Sequence, residues 1–285
     1  MRIGVRAHDF PKLPAEELAR RIAAKGMASV QLAPNKALQG VSLKPGDLTP
    51  ELAARVGGAF SKHGVRIAVL GCYVNPIHPD SARRAELLAW FKEHIRVCRD
   101  FGCSLVALET GSVNADYSYN PANAGVEALE ALVTSIAELA EEAERFGVAV
   151  GVEGVAKHVA NTPARVRALL DAVRSPSVKV VFDPVNLICS DNWMDQARVI
   201  GQSLELFGDR ISVIHSKDFV MENGIPRTVR TGQGLLDYGP LVRWLKESKP
   251  LMDVLLEGAS EDTVEECARY LEAAGQGNDH ASPHP

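Results

Sequence analysis

Residues 148–184 read VAVGVEGVAKHVANTPARVRALLDAVRSPSVKVVFDP and contain one complete strand–helix–strand unit. The two ends, 148–154 and 178–184, are rich in β-branched residues and are apolar at successive positions rather than alternating. That pattern is typical of parallel strands covered on both faces. Between them, residues 162–175 have helical spacing and begin with Thr162-Pro163, an N-cap followed by proline in the first turn. The stretch therefore predicts two parallel strands joined by a helical crossover.

The same unit recurs on both sides of this stretch. Six further runs have strand character: RIGVRA (2–7), SVQLAP (29–34), RIAVLG (66–71), LVALETG (105–111), ISVIHSKD (211–218) and DVLLEGA (253–259). Helical spacing between the runs is clearest over 14–26, 85–102 and 126–147. Eight βα units without a reversal predict an α/β fold that closes as a (β/α)8 TIM barrel in a single domain.

The barrel is expected over residues 1–274, because a barrel domain typically uses about 250 residues. The polar, Gly/Pro-rich end GQGNDHASPHP (275–285) is predicted to be a disordered tail, so its His280 and His284 are weak metal-ligand candidates. The alternative is an open doubly wound sheet. That fold usually has a glycine-rich phosphate loop after its first strand, whereas RAHDFPKL (6–13) contains no glycine.

Composition and charge narrow the classes of function. The formal net charge is −5 and no run of Lys or Arg occurs, which argues against nucleic acid as a partner. No apolar stretch approaches the roughly 20 residues needed to cross a bilayer, so no membrane association is expected. The five cysteines are scattered and odd in number, which disfavours a disulfide framework or a thiolate zinc site. Together with an N-terminus that lacks a signal-peptide pattern, these features predict a cytoplasmic protein.

Four polar residues end four consecutive predicted strands, each after an apolar run: Glu153, Asp183, His215 and Glu257. Barrel enzymes build their active sites at the carboxyl ends of the strands. A single carboxylate there is as often a cap for the next helix, but four such groups at one depth favour a common site. Three carboxylates and an imidazole cannot share a desolvated site without a cation or shared protons, so we predict a divalent metal. Oxygen ligands with one nitrogen suit Mn2+, our first choice, as well as Mg2+ or Co2+, and they allow Zn2+.

Several segments resemble the xylose-isomerase-like TIM barrel superfamily, in its sugar (phosphate) isomerase and epimerase family. They are, in order, GCYVNPIHPDSARR (71–84), VGVEG, VVFDPVNL, VIHSKD, RTGQGLLDYGPL and VLLEGA, and the resemblance covers nearly the whole chain. It implies that Glu153, Asp183, His215 and Glu257 bind one metal ion. It also implies that Glu153 and Glu257 are the catalytic residues that exchange protons with the substrate.

The chemistry of such a site follows from the weak acidity of a C–H next to a carbonyl. A carboxylate removes that proton only if the enolate oxygen is stabilised, and a metal that holds the oxygen provides the charge. We therefore expect a sugar epimerase or isomerase that acts on a keto sugar or related polyol through a metal-stabilised enediolate. A lyase or dehydratase acting on a 3-keto sugar or inosose is the alternative, because the same enolate can expel a leaving group. An abasic-site endonuclease is a remote alternative, since the chain has few strand-end histidines and no basic face.

Seven residues near the predicted strand ends are candidate substrate-binding residues: His8, Glu109, His158, Asn186, Lys217, Arg227 and Arg230. Lys217 shares strand parity with His215, so it faces the mouth and either binds a substrate oxygen or pairs with Asp183 or Glu257. Glu109 either contacts sugar hydroxyls or holds His158.

The remaining candidates bear on specificity. Asn186 stands where some ketohexose epimerases have a histidine, which directs the prediction away from a ketohexose. Arg227 and Arg230 lie in 221–234, predicted as the longest polar loop near the metal end, and either arginine can reach a sugar hydroxyl or phosphate. The predicted partner is a small-molecule sugar, and association as a homo-oligomer is left open.

Overall fold

The computed structural model of this protein describes residues 1–274, and the predicted tail at 275–285 lies outside the described residues. Eight parallel strands form a closed barrel, as predicted. The barrel strands are β1 (Arg2–Arg6), β2 (Ser29–Leu32), β3 (Arg66–Gly71), β4 (Leu105–Glu109), β5 (Ala149–Glu153), β6 (Val178–Phe182), β7 (Ile211–Ser216) and β10 (Asp253–Leu256). Two further strands, β8 (Asp218–Glu222) and β9 (Ile225–Val229), lie between β7 and β10 in the sequence. Strands β8 and β9 pair only with each other, and β10 closes the barrel by pairing with β1 from Arg2–Asp253 to Val5–Leu256.

Helices join the barrel strands on the outside. They are α1 (Ala15–Ala24), α2 (Pro34–Ala37), α3 (Pro50–Lys62), α4 (Ser81–Val97), α5 (Val126–Phe146), α6 (Pro163–Val173), α7 (Gln196–Phe207), α8 (Gly239–Ser248) and α9 (Val264–Ala274). Thr162 caps α6, as Thr162-Pro163 predicts, and Thr49 caps α3 in the same way. The helix predicted over 85–102 begins earlier, because Asp80 caps it by accepting a hydrogen bond from Arg83 N. Among the described helices, none combines the length and the apolar character that a membrane span requires.

The inside of the barrel is filled by a small apolar cluster that is separate from the main core. Its members are Ala68, Val69, Leu105, Ala107, Val181, Val213 and Leu255, with Ala149 packed against them. Because side chains alternate along a strand, the inward positions continue from Leu105 and Ala107 to Glu109, and from Val213 to His215. The apolar plug therefore ends where polar side chains begin, at the carboxyl ends of the strands.

The main core lies between the strands and the surrounding helices. Phe60, Phe91, Ile95, Leu139 and Phe207 are fully buried in it. Burying one such side chain contributes about 1.5–3 kcal/mol, so this layer holds the barrel rigidly around the mouth.

The segment 221–234 differs from its prediction as a polar loop. Its first part completes a two-stranded antiparallel hairpin, in which Asp218 to Glu222 pair with Val229 to Ile225. Asn223 and Gly224 form the turn with φ values of 51° and 77°. A two-residue turn with both φ values positive matches the twist of a hairpin, and Asn-Gly is its preferred sequence. The loop prediction was wrong here because β8 is buried only at Asp218 and Phe219 and β9 has no buried residue, so the two strands show no clear alternation of apolar residues.

Candidate metal centre

The carboxyl ends of four neighbouring strands bring the predicted metal ligands together. Glu153 is the last residue of β5, Asp183 follows β6, His215 lies in β7 and Glu257 follows β10. Glu153, Asp183 and His215 are all buried, and each offers a ligand atom within 4.8 Å of the other two. Glu257 completes the group, with Oε2 at 3.8 Å from His215 Nδ1.

The orientation of His215 is fixed by Gln31, which sequence reasoning did not single out. His215 Nε2 donates to Gln31 Oε1 at 2.5 Å, while Gln31 Nε2 donates to the hydroxyl of Tyr73 at 2.9 Å. The other ring nitrogen, Nδ1, faces Glu153 Oε1 at 3.1 Å. With the proton on Nε2, a lone pair and a carboxylate point at each other, an arrangement that is stable only with a proton or a cation between them. Metal-binding histidines typically donate their second nitrogen to such an acceptor.

Asp183 serves two purposes. Its Oδ1 accepts hydrogen bonds from the backbone N–H groups of Val185 and Asn186, so it caps the short turn after β6. Its Oδ2 is buried and accepts no well-oriented hydrogen bond, although Lys217 Nζ lies 3.0 Å away. Burial raises the pKa of Asp183 to about 6, with Glu257 and Glu153 acting in the same sense and Lys217 opposing them. Within the described residues this buried oxygen faces the Lys217 ammonium but receives no well-oriented hydrogen bond, and such an oxygen can also bind a metal ion.

Glu257 is held in its ionised form by neighbouring cations. Lys217 Nζ lies 2.9 Å from Oε1, and Arg6 Nη1 lies 3.1 Å from the same oxygen. Burial disfavours the carboxylate, but Lys217, His215 and Arg6 outweigh it and lower the pKa of Glu257 to about 2. Lys217 and Arg6 do not neutralise the carboxylates of the site, because Arg6 also pairs with Asp9. Glu153, Asp183 and Glu257 therefore keep an excess of negative charge that suits a divalent cation.

The pKa of His215 shifts in the direction expected of an imidazole that faces carboxylates. Burial lowers this pKa, but Glu153, Glu257 and Asp183 outweigh burial, and the net shift is upward. The cluster thus attracts a positive charge at Nδ1, which a proton or a metal ion can supply. The donor set of carboxylate oxygens and one imidazole nitrogen fits a divalent metal.

Glu109 and His158 form a second polar pair beside the cluster. Glu109 ends β4 directly opposite Glu153 on β5, and its Oε2 lies 3.2 Å from Nδ1 of the buried His158. Burial, reinforced by Glu153, raises the pKa of Glu109 to about 7. Burial lowers the pKa of His158 to about 4, with Lys157 adding to the effect. Near neutral pH His158 is therefore neutral, while Glu109 lies near the midpoint of its titration.

Three other predicted substrate-binding residues, Lys217, Asn186 and His8, lie in the cluster or beside it. Lys217 lies inside it, between Asp183 and Glu257, as the ion-pair interpretation of this residue predicts. Asn186 is adjacent, because its Nδ2 donates to Glu153 Oε1 at 2.8 Å. His8 follows β1, with its ring edge-on to Tyr73.

The two arginines of the segment 221–234 do not meet the cluster. Arg227 pairs with Glu222 across the hairpin at 2.6 Å, and Arg230 pairs with Glu266 of α9 at 3.0 Å. Their predicted contact with a sugar would require these ion pairs to open.

Sequence reasoning missed three residues of the mouth: Arg6, Gln31 and Tyr73. Gln31 had a signal, since a polar amide in the apolar strand SVQLAP has no reason to lie in a core. Arg6 and Tyr73 carried no such signal, because charged and aromatic residues are common near strand ends. Only the closure of the barrel shows that β1, β2 and β3 face the same site as β7 and β10.

Comparison with known proteins gives a family and a fold. Residues 19–274 match the sequence model of a family described as a xylose isomerase-like TIM barrel. No curated protein matches the chain.

Solved structures of the same fold share little sequence with this chain. A structure of the IOLI protein with a bound zinc atom is 16% identical with a TM-score of 0.76, covering 99% of this chain and 100% of the other. A D-tagatose 3-epimerase-like protein is 16% identical with a TM-score of 0.75, and 97% of each chain is covered. The probable 3-DHS dehydratase AsbF of Bacillus anthracis is 14% identical with a TM-score of 0.74, covering 98% of this chain and 100% of the other.

One further match is much longer than this chain. It is a xylose isomerase-like TIM barrel/4-hydroxyphenylpyruvate dioxygenase fusion protein, which is 18% identical with a TM-score of 0.69. The match covers 99% of this chain but only 45% of the fusion protein.

Proposed function

Because the chain belongs to the xylose isomerase-like TIM barrel family, we propose that it is a divalent-metal-dependent sugar epimerase or isomerase acting on a keto sugar or related polyol. One observation carries this proposal. Glu153, Asp183 and His215 converge within 4.8 Å, with Nδ1 of His215 facing the carboxylate of Glu153. Such a group is arranged for a cation rather than for packing.

We propose Glu153, Asp183, His215 and Glu257 as the ligands of one metal ion. When bound, the cation supplies positive charge that stabilises a negative substrate oxygen beside the carbon that loses its proton. Mn2+ is our first choice, and Mg2+, Co2+ and Zn2+ fit the same oxygen-rich donor set.

Glu153 is our candidate for the proton-abstracting base. Its Oε1 takes the hydrogen bond from Asn186 and faces His215. In the described part of the chain no hydrogen bond engages Oε2, so this oxygen can accept a proton from substrate. Asn186 and His215 fix the carboxylate plane, which keeps Oε2 in one position during the transfer.

Glu257 is the second proposed catalytic carboxylate. Lys217 and Arg6 hold it ionised, so a proton that it takes up is readily released. For epimerisation, one carboxylate takes a proton from one face of the carbon and the other returns a proton to the opposite face. For isomerisation, one carboxylate moves the proton between adjacent carbons. Around them, the Glu109–His158 pair, His8 and Lys217 are proposed to bind the sugar hydroxyls.

A lyase or dehydratase acting on a 3-keto sugar or inosose is the second candidate, and Glu109 favours it. Elimination needs an acid that protonates the leaving hydroxyl, and a pKa of about 7 lets Glu109 carry a proton in part of the molecules near neutral pH. Glu109 lies beside Glu153 across the β4–β5 pair, so base and acid would flank the same substrate.

We further propose that the protein works in the cytoplasm on a small-molecule sugar. All five cysteines are free, which suits a reducing compartment. The net charge of −5 gives no electrostatic reason to bind nucleic acid. A homo-oligomer is compatible with this proposal.

Exchange of solvent deuterium into recovered sugar tests the proposal. A panel of keto sugars is incubated in D2O with the metal-loaded protein, and each recovered sugar is analysed by mass spectrometry. We expect deuterium in the carbon skeleton without loss of water, and we expect chelation to abolish it. Loss of water would favour the dehydratase.

Matched variants locate the exchange at the proposed residues. Glu153→Gln and Glu257→Gln should each lower the exchange rate by about 100-fold or more. Glu138→Gln, on the exposed face of α5, should leave it unchanged. Full exchange by both site variants would overturn the proposed mechanism.

A further inference from the structure

A cavity of about 180 Å³ opens beside the mouth, between the ends of β2 and β3 and the helix α4. Ala33 and Gly71 form its inner wall, while Trp90 and His94 of α4 form its outer wall. At about 30 Å³ per water, this space equals roughly six water molecules. It is large enough for one substituent of a sugar, and no residue proposed to act in proton transfer lines it.

Lys36 is the cation of this cavity. His94, the other basic residue in the lining, stays neutral because burial lowers its pKa to about 4. Lys36 belongs to α2, which follows β2 directly, and the neighbouring Asn35 binds both the backbone N–H and the backbone carbonyl of Leu43. The ammonium group lies 3.7 Å above the ring of Tyr73. The lysine is thus held in place by its backbone and by a cation–π contact.

Lys36 differs from the two cations that lie beside the candidate metal ligands. Arg6 pairs with Asp9 and Glu257, and Lys217 pairs with Asp183 and Glu257. Within residues 1–274, Lys36 makes no ion pair, and its exposed ammonium group is open to a ligand.

Contacts through Tyr73 connect this lysine to the metal centre. The Tyr73 hydroxyl accepts from Gln31, and Gln31 accepts from His215. The charged groups that act on Lys36 are those of the mouth: after burial, which lowers its pKa, the largest influence is Arg6, followed by Glu109, Asp9 and Glu257. Lys36 therefore borders the same mouth as the metal centre.

His8 adds an unpaired polar atom to the same side of the mouth. Its buried Nδ1 has no hydrogen-bond partner in the described chain, and its ring lies edge-on to Tyr73 at 6.0 Å. Burial and then Arg6 lower the pKa of His8 to about 3, so the ring is neutral. A neutral imidazole can donate one hydrogen bond to a ligand without adding charge.

We infer that the substrate carries a negatively charged group, a carboxylate or a phosphate, that binds to Lys36 at this cavity while its carbonyl end faces the metal centre. The inference rests on the proposed function and extends it from keto sugars in general to sugar acids and sugar phosphates. Lys36 supplies the charge, His8 can supply a hydrogen bond, and the aromatic floor of Tyr73 keeps the ammonium group in position.

The test compares a neutral probe with two charged probes: D-fructose, D-fructose 6-phosphate and 5-keto-D-gluconate. Their affinities for the metal-loaded protein are measured by calorimetry, for the wild type and for Lys36→Met and Lys36→Arg. The matched control is Lys246→Met, which removes the same charge from the exposed face of α8. We expect the wild type and the control to bind one charged probe about tenfold more tightly than D-fructose. If D-fructose 6-phosphate binds more tightly than D-fructose, the group is a phosphate. If 5-keto-D-gluconate does, the group is a carboxylate.

Lys36→Met should remove that gain and leave the affinity for D-fructose unchanged, and Lys36→Arg should keep most of it. The inference is overturned if Lys36→Met binds both charged probes as the wild type does, or if neither charged probe binds better than D-fructose. Deuterium exchange by the wild type separates the two proposals, because it reports proton transfer and does not report binding at Lys36. A protein with that gain and no exchange for any probe would contradict the proposed function while supporting the anion site.

Discussion

Gln31 illustrates how one side chain decides the chemistry of another. By accepting the Nε2 proton of His215, it leaves Nδ1, which faces Glu153, as the nitrogen that can bind a cation once the ring is neutral. The choice of tautomer is thus made by a residue that does not itself belong to the ligand group.

Replacing Gln31 by Leu should therefore weaken metal binding without unfolding the protein. Loss of such a supporting hydrogen bond typically costs 10–100-fold in metal affinity, and we expect a decrease of that size. Gln31→Glu keeps an acceptor and should lose less. The measurement is a competition titration with a chelating dye, and equal affinity of Gln31→Leu and wild type would contradict this role of Gln31.

Metal affinity should also decrease as the pH is lowered. The metal-free pKa of His215 is raised by Glu153, Glu257 and Asp183, and that of Asp183 is raised to about 6 by burial. Both residues must lose their protons to bind a cation, so protons compete with the metal at acidic pH. We expect affinity to fall steadily as the pH decreases from 7 to 5, with proton release on binding near pH 6. A flat profile in Mn2+ titrations over this range would contradict it.

Some residues of the candidate site could be predicted from the sequence, and others could not. Glu153, Asp183, His215 and Glu257 were predictable, because each follows an apolar run at a strand end. Gln31 was not assigned, since its partner His215 is 184 residues away and the two meet only across the closed barrel.

At the scale of elements, the strands were predictable and the hairpin was not. All eight barrel strands lie within the predicted runs, because a parallel strand buried on both faces needs continuous apolar sequence. Strands β8 and β9 have no buried face of this kind, and Pro226 even interrupts the β9 pattern. The sequence signal for the hairpin was Asn223-Gly224, the preferred sequence of a two-residue hairpin turn.

Asp218 holds the connection after this hairpin against the barrel. It is fully buried and accepts hydrogen bonds from the backbone N–H groups of Phe219, Gly232 and Leu236. Because Asp218→Ala would leave buried donors unpaired, we expect a loss of about 2–4 kcal/mol in the free energy of unfolding. That loss corresponds to a decrease in Tm of about 4–16 °C. Glu222→Gln, at the exposed hairpin tip, is the control, and an unchanged Tm for Asp218→Ala would refute the assignment.

The whole molecule separates stability from chemistry along the barrel axis. At the amino-terminal end of the strands, the buried Asp253 pairs with Arg2 and Arg66. At the carboxyl end lie the candidate metal ligands. The ion pairs at the amino-terminal end stabilise the barrel between β1, β3 and β10. The charged groups at the carboxyl end serve the proposed reaction.

Asp253→Asn should therefore lower stability and leave metal binding alone. Both arginines are nearly half exposed, so solvent screening limits the loss to about 1–2 kcal/mol. Thermal unfolding and Mn2+ titration of the same preparation check the two halves of this expectation. A fall in metal affinity comparable to the effect of a ligand variant would show that the two ends are not independent.

The stoichiometry and affinity of metal binding test the central claim most directly. Protein freed of metal by chelation and dialysed against Mn2+ is analysed by inductively coupled plasma mass spectrometry, alongside Asp183→Asn and Glu138→Gln. We predict one ion per chain for the wild type and for Glu138→Gln, and an affinity at least about 100-fold lower for Asp183→Asn, which loses a ligand and part of the charge. Equal binding by all three proteins, or no stoichiometric binding of Mn2+, Mg2+, Co2+ or Zn2+ by the wild type, would contradict a metal centre formed by Glu153, Asp183, His215 and Glu257.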